Sequence, residues 1–171
     1  AHIHSVWTAL PIHPNRPPTG RHPEQTVQEG WECLRTHRHL VDTLDGGAGD
    51  DTYVLADGSD TVIDASGVDT ITSTITRSLA VSAGIEKLTR LGTAAIDGTG
   101  NALANTITGN TGNNSISGSS GNDTLIGGGG NDTLNGGIGN DSYTVDSSTD
   151  LVSETTTVVT EIDSVTSSVA W

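Results

Sequence analysis

Gly109-Asn-Thr-Gly-Asn-Asn-Ser-Ile-Ser117, Gly118-Ser-Ser-Gly-Asn-Asp-Thr-Leu-Ile126, Gly127-Gly-Gly-Gly-Asn-Asp-Thr-Leu-Asn135 and Gly136-Gly-Ile-Gly-Asn-Asp-Ser-Tyr-Thr144 follow one another without a gap. All four nonads carry glycine at the first and fourth positions and a large apolar residue at the eighth, and three carry aspartate at the sixth. Two glycines in six residues permit a tight turn with positive φ. The last three residues, with one apolar side chain between two small ones, suit a very short strand. Ile107, Ile116, Leu125, Leu134 and Tyr143 recur every nine residues. With two nonads to a coil they stack as two interior ladders. The pattern predicts an all-β protein, a parallel β-roll or β-solenoid built from glycine-rich nonapeptide repeats. A flexible Gly/Ser/Asn linker has no reason to keep an apolar residue in that register.

The sixth-position carboxylates, with carbonyls exposed by the glycine turns, offer the hard oxygen ligands that calcium prefers. Two nonads per coil place ligands eighteen residues apart. Asp123 is therefore expected to face Asp141 across the turns of Gly118, Gly121, Gly136 and Ile138, as the best calcium site of the chain. Asp132, with Gly127 and Gly129, faces Asn114, whose missing charge makes a weaker site. The preceding nonad, Gly100 to Thr108, has Leu103 and Asn105 at the fourth and sixth positions and is expected to continue the coil without binding. An isolated nonad, Gly46 to Val54, supplies Gly46, Ala48 and Asp51 for a further site.

Composition sets the terms. The 171 residues carry a net charge of −14, only 3% are aromatic, and there is no Phe or Met. Such a chain has little apolar bulk for a packed core and repels itself. Bound cations would neutralise the acids and tie coils together, so the expectation is a chain that folds on binding calcium. The acidity argues against nucleic acid as a partner, since phosphate contacts need Lys and Arg. The lone Cys33 excludes an internal disulfide framework, and no apolar run reaches the length of a transmembrane segment.

Residues 1–41 differ from the rest. They hold all six His, all five Pro and Cys33, with a net charge of +1, leaving −15 for residues 42–171. This Pro/His-rich segment is expected to be disordered and foreign to the repeat, with a short helix over Glu24 to Leu40 as its one ordered candidate. His2, His4, His37 and His39 lack a third ligand at a useful spacing, so a zinc or copper site is not expected there. Residues 42–99 combine the lone nonad with Thr/Val/Ile-rich strands, notably Asp69 to Thr76 and Ile85 to Gly92. Residues 100–144 are the tandem calcium-binding run, and residues 145–171 begin a second module. A longer repeat underlies this division, because Asp45 to Tyr53 aligns with Asn135 to Tyr143 ninety residues on. After a four-residue insertion, Asp69 to Ser73 aligns with Asp163 to Ser167. The chain opens without Met and stops inside that second module, as a piece of a larger protein would.

These residues, from Asp42 to Trp171, resemble the RTX (haemolysin-type calcium-binding) repeat proteins. The resemblance implies a secreted, extracellular bacterial protein, exported by type I secretion machinery and folded by external calcium. Asn114 and residues 1–41 depart from the family pattern, and no C-terminal secretion signal is recognisable. No HExxH, GxSxG, phosphate-loop or EF-hand motif is present, so no catalytic residue is expected. Three readings follow: a non-catalytic calcium-binding module, the calcium-binding C-terminal part of a secreted protease, lipase or toxin, and a calcium-independent surface spacer or adhesin.

Overall fold

The computed structural model describes residues 25–26, 32–34, 43–55, 58, 60–154 and 161–169. These residues form β-strands joined by short turns, with no helix among them. The first eight strands are β1 (Gln25–Thr26), β2 (Glu32–Leu34), β3 (Thr43–Asp45), β4 (Thr52–Leu55), β5 (Thr61–Ile63), β6 (Asp69–Ser73), β7 (Arg77–Ser78) and β8 (Ile85–Arg90). They are followed by β9 (Gly98–Thr99), β10 (Thr106–Thr108), β11 (Ser115–Ser120), β12 (Thr124–Ile126), β13 (Thr133–Ile138), β14 (Ser142–Val145), β15 (Leu151–Ser153) and β16 (Ser164–Ser167). Even-numbered strands line up as one eight-stranded parallel sheet. Odd-numbered strands make the opposite wall as a three-stranded sheet, β1-β3-β5, and a five-stranded one, β7 to β15. The chain is a parallel β-solenoid with two strands to a coil.

The register is the eighteen-residue one. Ile107 pairs with Leu125 and Leu125 with Tyr143 on one wall, while Ile116 pairs with Leu134 on the other. The first ladder runs back through Leu88 and Ile71 to Tyr53. All of these side chains are buried and form one continuous core. Each nonad nevertheless buries one large side chain against nine ordered residues, so apolar burial alone does not offset backbone entropy. The rest must come from the backbone ladders and from whatever satisfies the buried polar rows at the turns.

The interval is not eighteen throughout: it is twenty between β2 and β4 and twenty-one between β7 and β9. Between β6 and β8 the register shifts at Asp69/Thr70, and the chain makes an excursion whose Leu79 and Ile85 fill the core. Between β14 and β16 the interval lengthens to twenty-two, as with Tyr143 and Val165, which is the inserted four residues.

The expected helix over Glu24 to Leu40 is corrected at its described residues. Gln25–Thr26 and Glu32–Leu34 are strands, pairing in parallel with β3 and β4. An open end of a parallel sheet presents unpaired N–H and C=O groups, and strand pairing satisfies them where a helix would not. The other residues of the 1–41 segment, with the disorder and the histidines assigned to them, lie outside the described residues.

Candidate metal centre

Just before β4, β12, β13 and β14 the residue at the sixth position turns inward. Asp51, Asp123, Asp132 and Asp141 are all buried, although each is a carboxylate. In Asp123, Asp132 and Asp141 one oxygen of the side chain is held by the neighbouring coil. Asp123 Oδ1 accepts the Asn105 N–H at 2.7 Å, and Asp141 Oδ1 accepts the Asp123 N–H at 2.7 Å. On the other row, Asp132 Oδ1 accepts the Asn114 N–H at 2.8 Å, and Asp150 Oδ1 accepts the Asp132 N–H at 2.9 Å. Each carboxylate thus anchors the coil eighteen residues before it.

The second oxygen is stranded. Oδ2 of Asp69, Asp123, Asp132 and Asp141 is buried and has no hydrogen-bond partner among the described residues. A buried carboxylate oxygen without a partner costs free energy that a native fold does not ordinarily leave unpaid. A hard cation satisfies it without needing a donor, so the residues present fit calcium.

The glycines divide the labour differently from the expectation that both serve the turn through positive φ. Fourth-position Gly130 and Gly139, with φ of 117° and 137°, do need that freedom. First-position Gly118 does not. A Cβ there would lie 2.2 Å from Asp123 Oδ2 and 2.7 Å from the Gly136 carbonyl oxygen. At Gly127 and Gly136 the same added atom would meet Oδ2 of Asp132 at 2.6 Å and of Asp141 at 2.0 Å. First-position glycine is therefore a vacancy kept for its own nonad's carboxylate, with the next coil's glycine carbonyl turned towards the same space.

Of the residues expected to bind, Asp123 and Asp141 come together on one row, with Gly118 and Gly136 beside them. Asp132 and Gly127 lie on the other row, next to Asn114. Asn114 is buried and committed to the backbone: its Oδ1 accepts the Asn110 N–H at 2.9 Å and its Nδ2 donates to the Ile96 carbonyl at 2.7 Å. Gly129 N–H donates to the Asn110 carbonyl at 2.9 Å, and the Ile138 carbonyl accepts the Gly121 N–H at 2.8 Å. Gly46 stands over Asp51, while Ala48 forms a parallel bridge with Ser66.

Several acids in the rows escaped the sequence reading as ligands. Asp69, Asp150 and Asp163 occupy sixth positions in nonads that depart from the glycine pattern, the first keeping only Gly67 and the other two keeping neither glycine, and an interval of eighteen from Asp51 and Asp132 points to the first two. Asp163 Oδ1 accepts the Asp141 N–H at 2.8 Å, across the longer interval. Arg90 is a further surprise. It is buried beside Gly98, where an added Cβ would lie 1.5 Å from its Nη2, and its Nη1 donates to the Thr108 carbonyl at 2.9 Å. Burial pushes the guanidinium down to about 10, against the attraction of Asp97 and Asp132. It places a fixed positive charge near the Asn114–Asp132 row, the row with fewer acids.

Burial governs the titration of the rows. It raises the Asp123 carboxyl to about 6, with the Asn105 N–H opposing and Asp141 adding to the rise. Asp69 is likewise raised to about 6 by burial, against the Asp51 N–H. Asp132 and Asp141 are raised for the same first reason, and neighbouring acids add to it. The rows disfavour the negative charge they carry at neutral pH, as buried carboxylates packed beside one another do.

The family model of the RTX calcium-binding nonapeptide repeat matches the chain in four copies, over residues 42–62, 99–134, 108–143 and 117–151. No curated protein and no solved structure matches.

Proposed function

We propose that this chain, which belongs to the RTX calcium-binding nonapeptide repeat family, is a calcium-folded module of a secreted bacterial protein with no catalysis of its own. The observation that carries the reading is the set of stranded Oδ2 atoms on Asp123, Asp132 and Asp141, each beside a first-position glycine. Asp123 and Asp141 would hold the ion from their side chains, and Gly118 and Gly136 from their carbonyls. Asp132, Gly127 and Gly129 would do so on the opposite row. Calcium supplies the positive charge that lets these carboxylates remain ionised inside the roll. Gly46, Ala48 and Asp51 make an outlying site, so residues 42–99, 100–144 and 145–171 serve as a border module, the main binding run and the start of a second border.

Coupling to folding follows from the charge. A chain of net charge −14 with one ladder side chain per nonad lacks the apolar surface to hold buried acids in place unaided. Outside a cell calcium is abundant, which suits export of an extended chain through type I machinery followed by folding. A parent protease, lipase or toxin would carry its chemistry on other residues.

Calcium titration of the full chain, followed by far-UV circular dichroism with magnesium as the control, tests the reading. A cooperative rise in β signal with calcium and not magnesium is expected. Full β signal in EDTA would replace it with the calcium-independent spacer.

A further inference from the structure

The two tyrosines of the chain repeat one contact ninety residues apart. The Tyr53 hydroxyl donates to Asp64 Oδ2, and the Tyr143 hydroxyl donates to Glu154 Oε1. Asp64 and Glu154 each stand eighteen residues after a first-position glycine, Gly46 and Gly136. An acid therefore fills the slot that glycine fills in the tandem run.

That exchange gathers charge. Carboxylate oxygens of Asp51, Asp64 and Asp69 lie within 4.8 Å of one another, and so do those of Asp141, Glu154 and Asp163. Two calcium–oxygen bonds of about 2.4 Å span that distance. Acidic clusters at a surface need no ion, but each of these contains a stranded interior oxygen. Asp69 and Asp141 are 0% and 2% exposed, and Oδ2 of each has no hydrogen-bond partner among the described residues. Asp141 Oδ2 and the Tyr143 hydroxyl both fall within 2.2 Å of the point where a Cβ on Gly136 would lie, so the stranded oxygen faces the tyrosine and its Glu154. Around Gly46 the same point is approached by the Tyr53 hydroxyl at 2.2 Å, Asp51 Oδ2 at 2.4 Å and Asp64 Oδ2 at 2.7 Å.

Both clusters sit where the eighteen-residue register fails. Asp69 is at the shift between β6 and β8, and Asp163 follows the twenty-two-residue interval from Asp141. We propose that Asp51/Asp64/Asp69 and Asp141/Glu154/Asp163 are two clasp sites for calcium, each drawing its charge from three side chains and each braced by a tyrosine hydroxyl. They fasten an irregular coil onto a regular one. Glycine-loop sites hold like coil to like coil, whereas the clasps hold the borders of the ninety-residue module. The inference rests on the calcium reading for the identity of the ion.

The test uses the full chain and the double variant Asp64→Asn/Glu154→Gln, whose amides keep an acceptor for each tyrosine and remove the charge. Equilibrium dialysis with calcium is expected to show two fewer ions bound per chain, with the calcium-dependent circular dichroism retained. An unchanged ion count in a variant that still binds calcium overturns the clasps and leaves the glycine-loop reading standing. No calcium bound by the parent chain overturns both. Terbium in place of calcium gives a readout on the parent chain that does not depend on the variant folding. Sensitised emission whose excitation spectrum is that of tyrosine, competed away by calcium, is expected. Terbium binding without tyrosine-sensitised emission overturns the clasps.

Discussion

Gly118→Ala isolates the steric role of the first-position glycine. Gly118 has no positive φ, so alanine costs nothing through the backbone. The added Cβ would lie 2.2 Å from Asp123 Oδ2 and 2.7 Å from the Gly136 carbonyl oxygen, both well inside contact distance. Either the carboxylate retreats by about 1 Å and loses its bond to the Asn105 N–H, or the coils part at Gly136. Overpacking of this kind costs about 1–3 kcal/mol, and a hydrogen bond to a charged group is worth about 1.5–3 kcal/mol. A loss near 3 kcal/mol lowers the melting temperature of a chain this size by roughly 6–12 °C. Gly129→Ala is the control, because its φ is not positive and its added Cβ would find nothing nearer than 3.6 Å. That change should leave the melting temperature within about 2 °C, since alanine also restricts the unfolded chain. Thermal unfolding in saturating calcium, followed by circular dichroism, measures both. Equal shifts for the two variants would refute the idea that the first glycine is a vacancy held for the carboxylate.

Asp141→Ala should weaken calcium-induced folding more than Asn114→Ala, because it removes a charged ligand. Asn114→Ala, which breaks two buried backbone bonds, should lower the melting temperature by a similar amount with and without calcium; a calcium midpoint moved equally by both variants counts against the pairing of Asp123 with Asp141. Acidification should act in opposite senses on the two states. Asp69 and Asp123 are raised to about 6 in the fold from about 3.9 in an unfolded chain, so their protonation favours the calcium-free fold, fully below about pH 4 and no longer above about 6. In EDTA the β signal should therefore grow as pH falls from 7 to 4, while the calcium midpoint rises because the ligands must be ionised; a flat EDTA profile is the contrary result. Gly98→Ala should be severely destabilising in the parent chain, by about 3 kcal/mol or more, and close to neutral in an Arg90→Ala background, since the clash is with that guanidinium. Additive losses in this double-mutant cycle would show that Arg90 does not fill the space over Gly98.

The solenoid and its register could be read from local pattern because a coil here contacts only its neighbours. A nine-residue period with apolar residues from Ile107 to Tyr143 dictates which side chains stack. The interval of eighteen follows from two strands per coil, and with it the adjacency of Asp123 to Asp141 and of Asp132 to Asn114. Hard oxygen chemistry was legible in the same residues. What escaped the pattern lies where the pattern breaks. Asp64 and Glu154 occupy glycine slots, and only the fold shows them meeting Tyr53 and Tyr143 eleven residues away. Arg90 looked like an ordinary strand residue until its guanidinium was found beside Gly98. Gly118 and Gly130 look alike in sequence, yet Gly130 needs positive φ and Gly118 needs an absent Cβ. Gln25–Thr26 and Glu32–Leu34 carry no repeat signature, and they are strands because the end of a sheet offers unpaired backbone groups. Periodic sequence determines every contact that recurs at its own interval. Contacts between side chains at irregular intervals depend on where the backbone has already placed them, and that is decided by the packed coils alone.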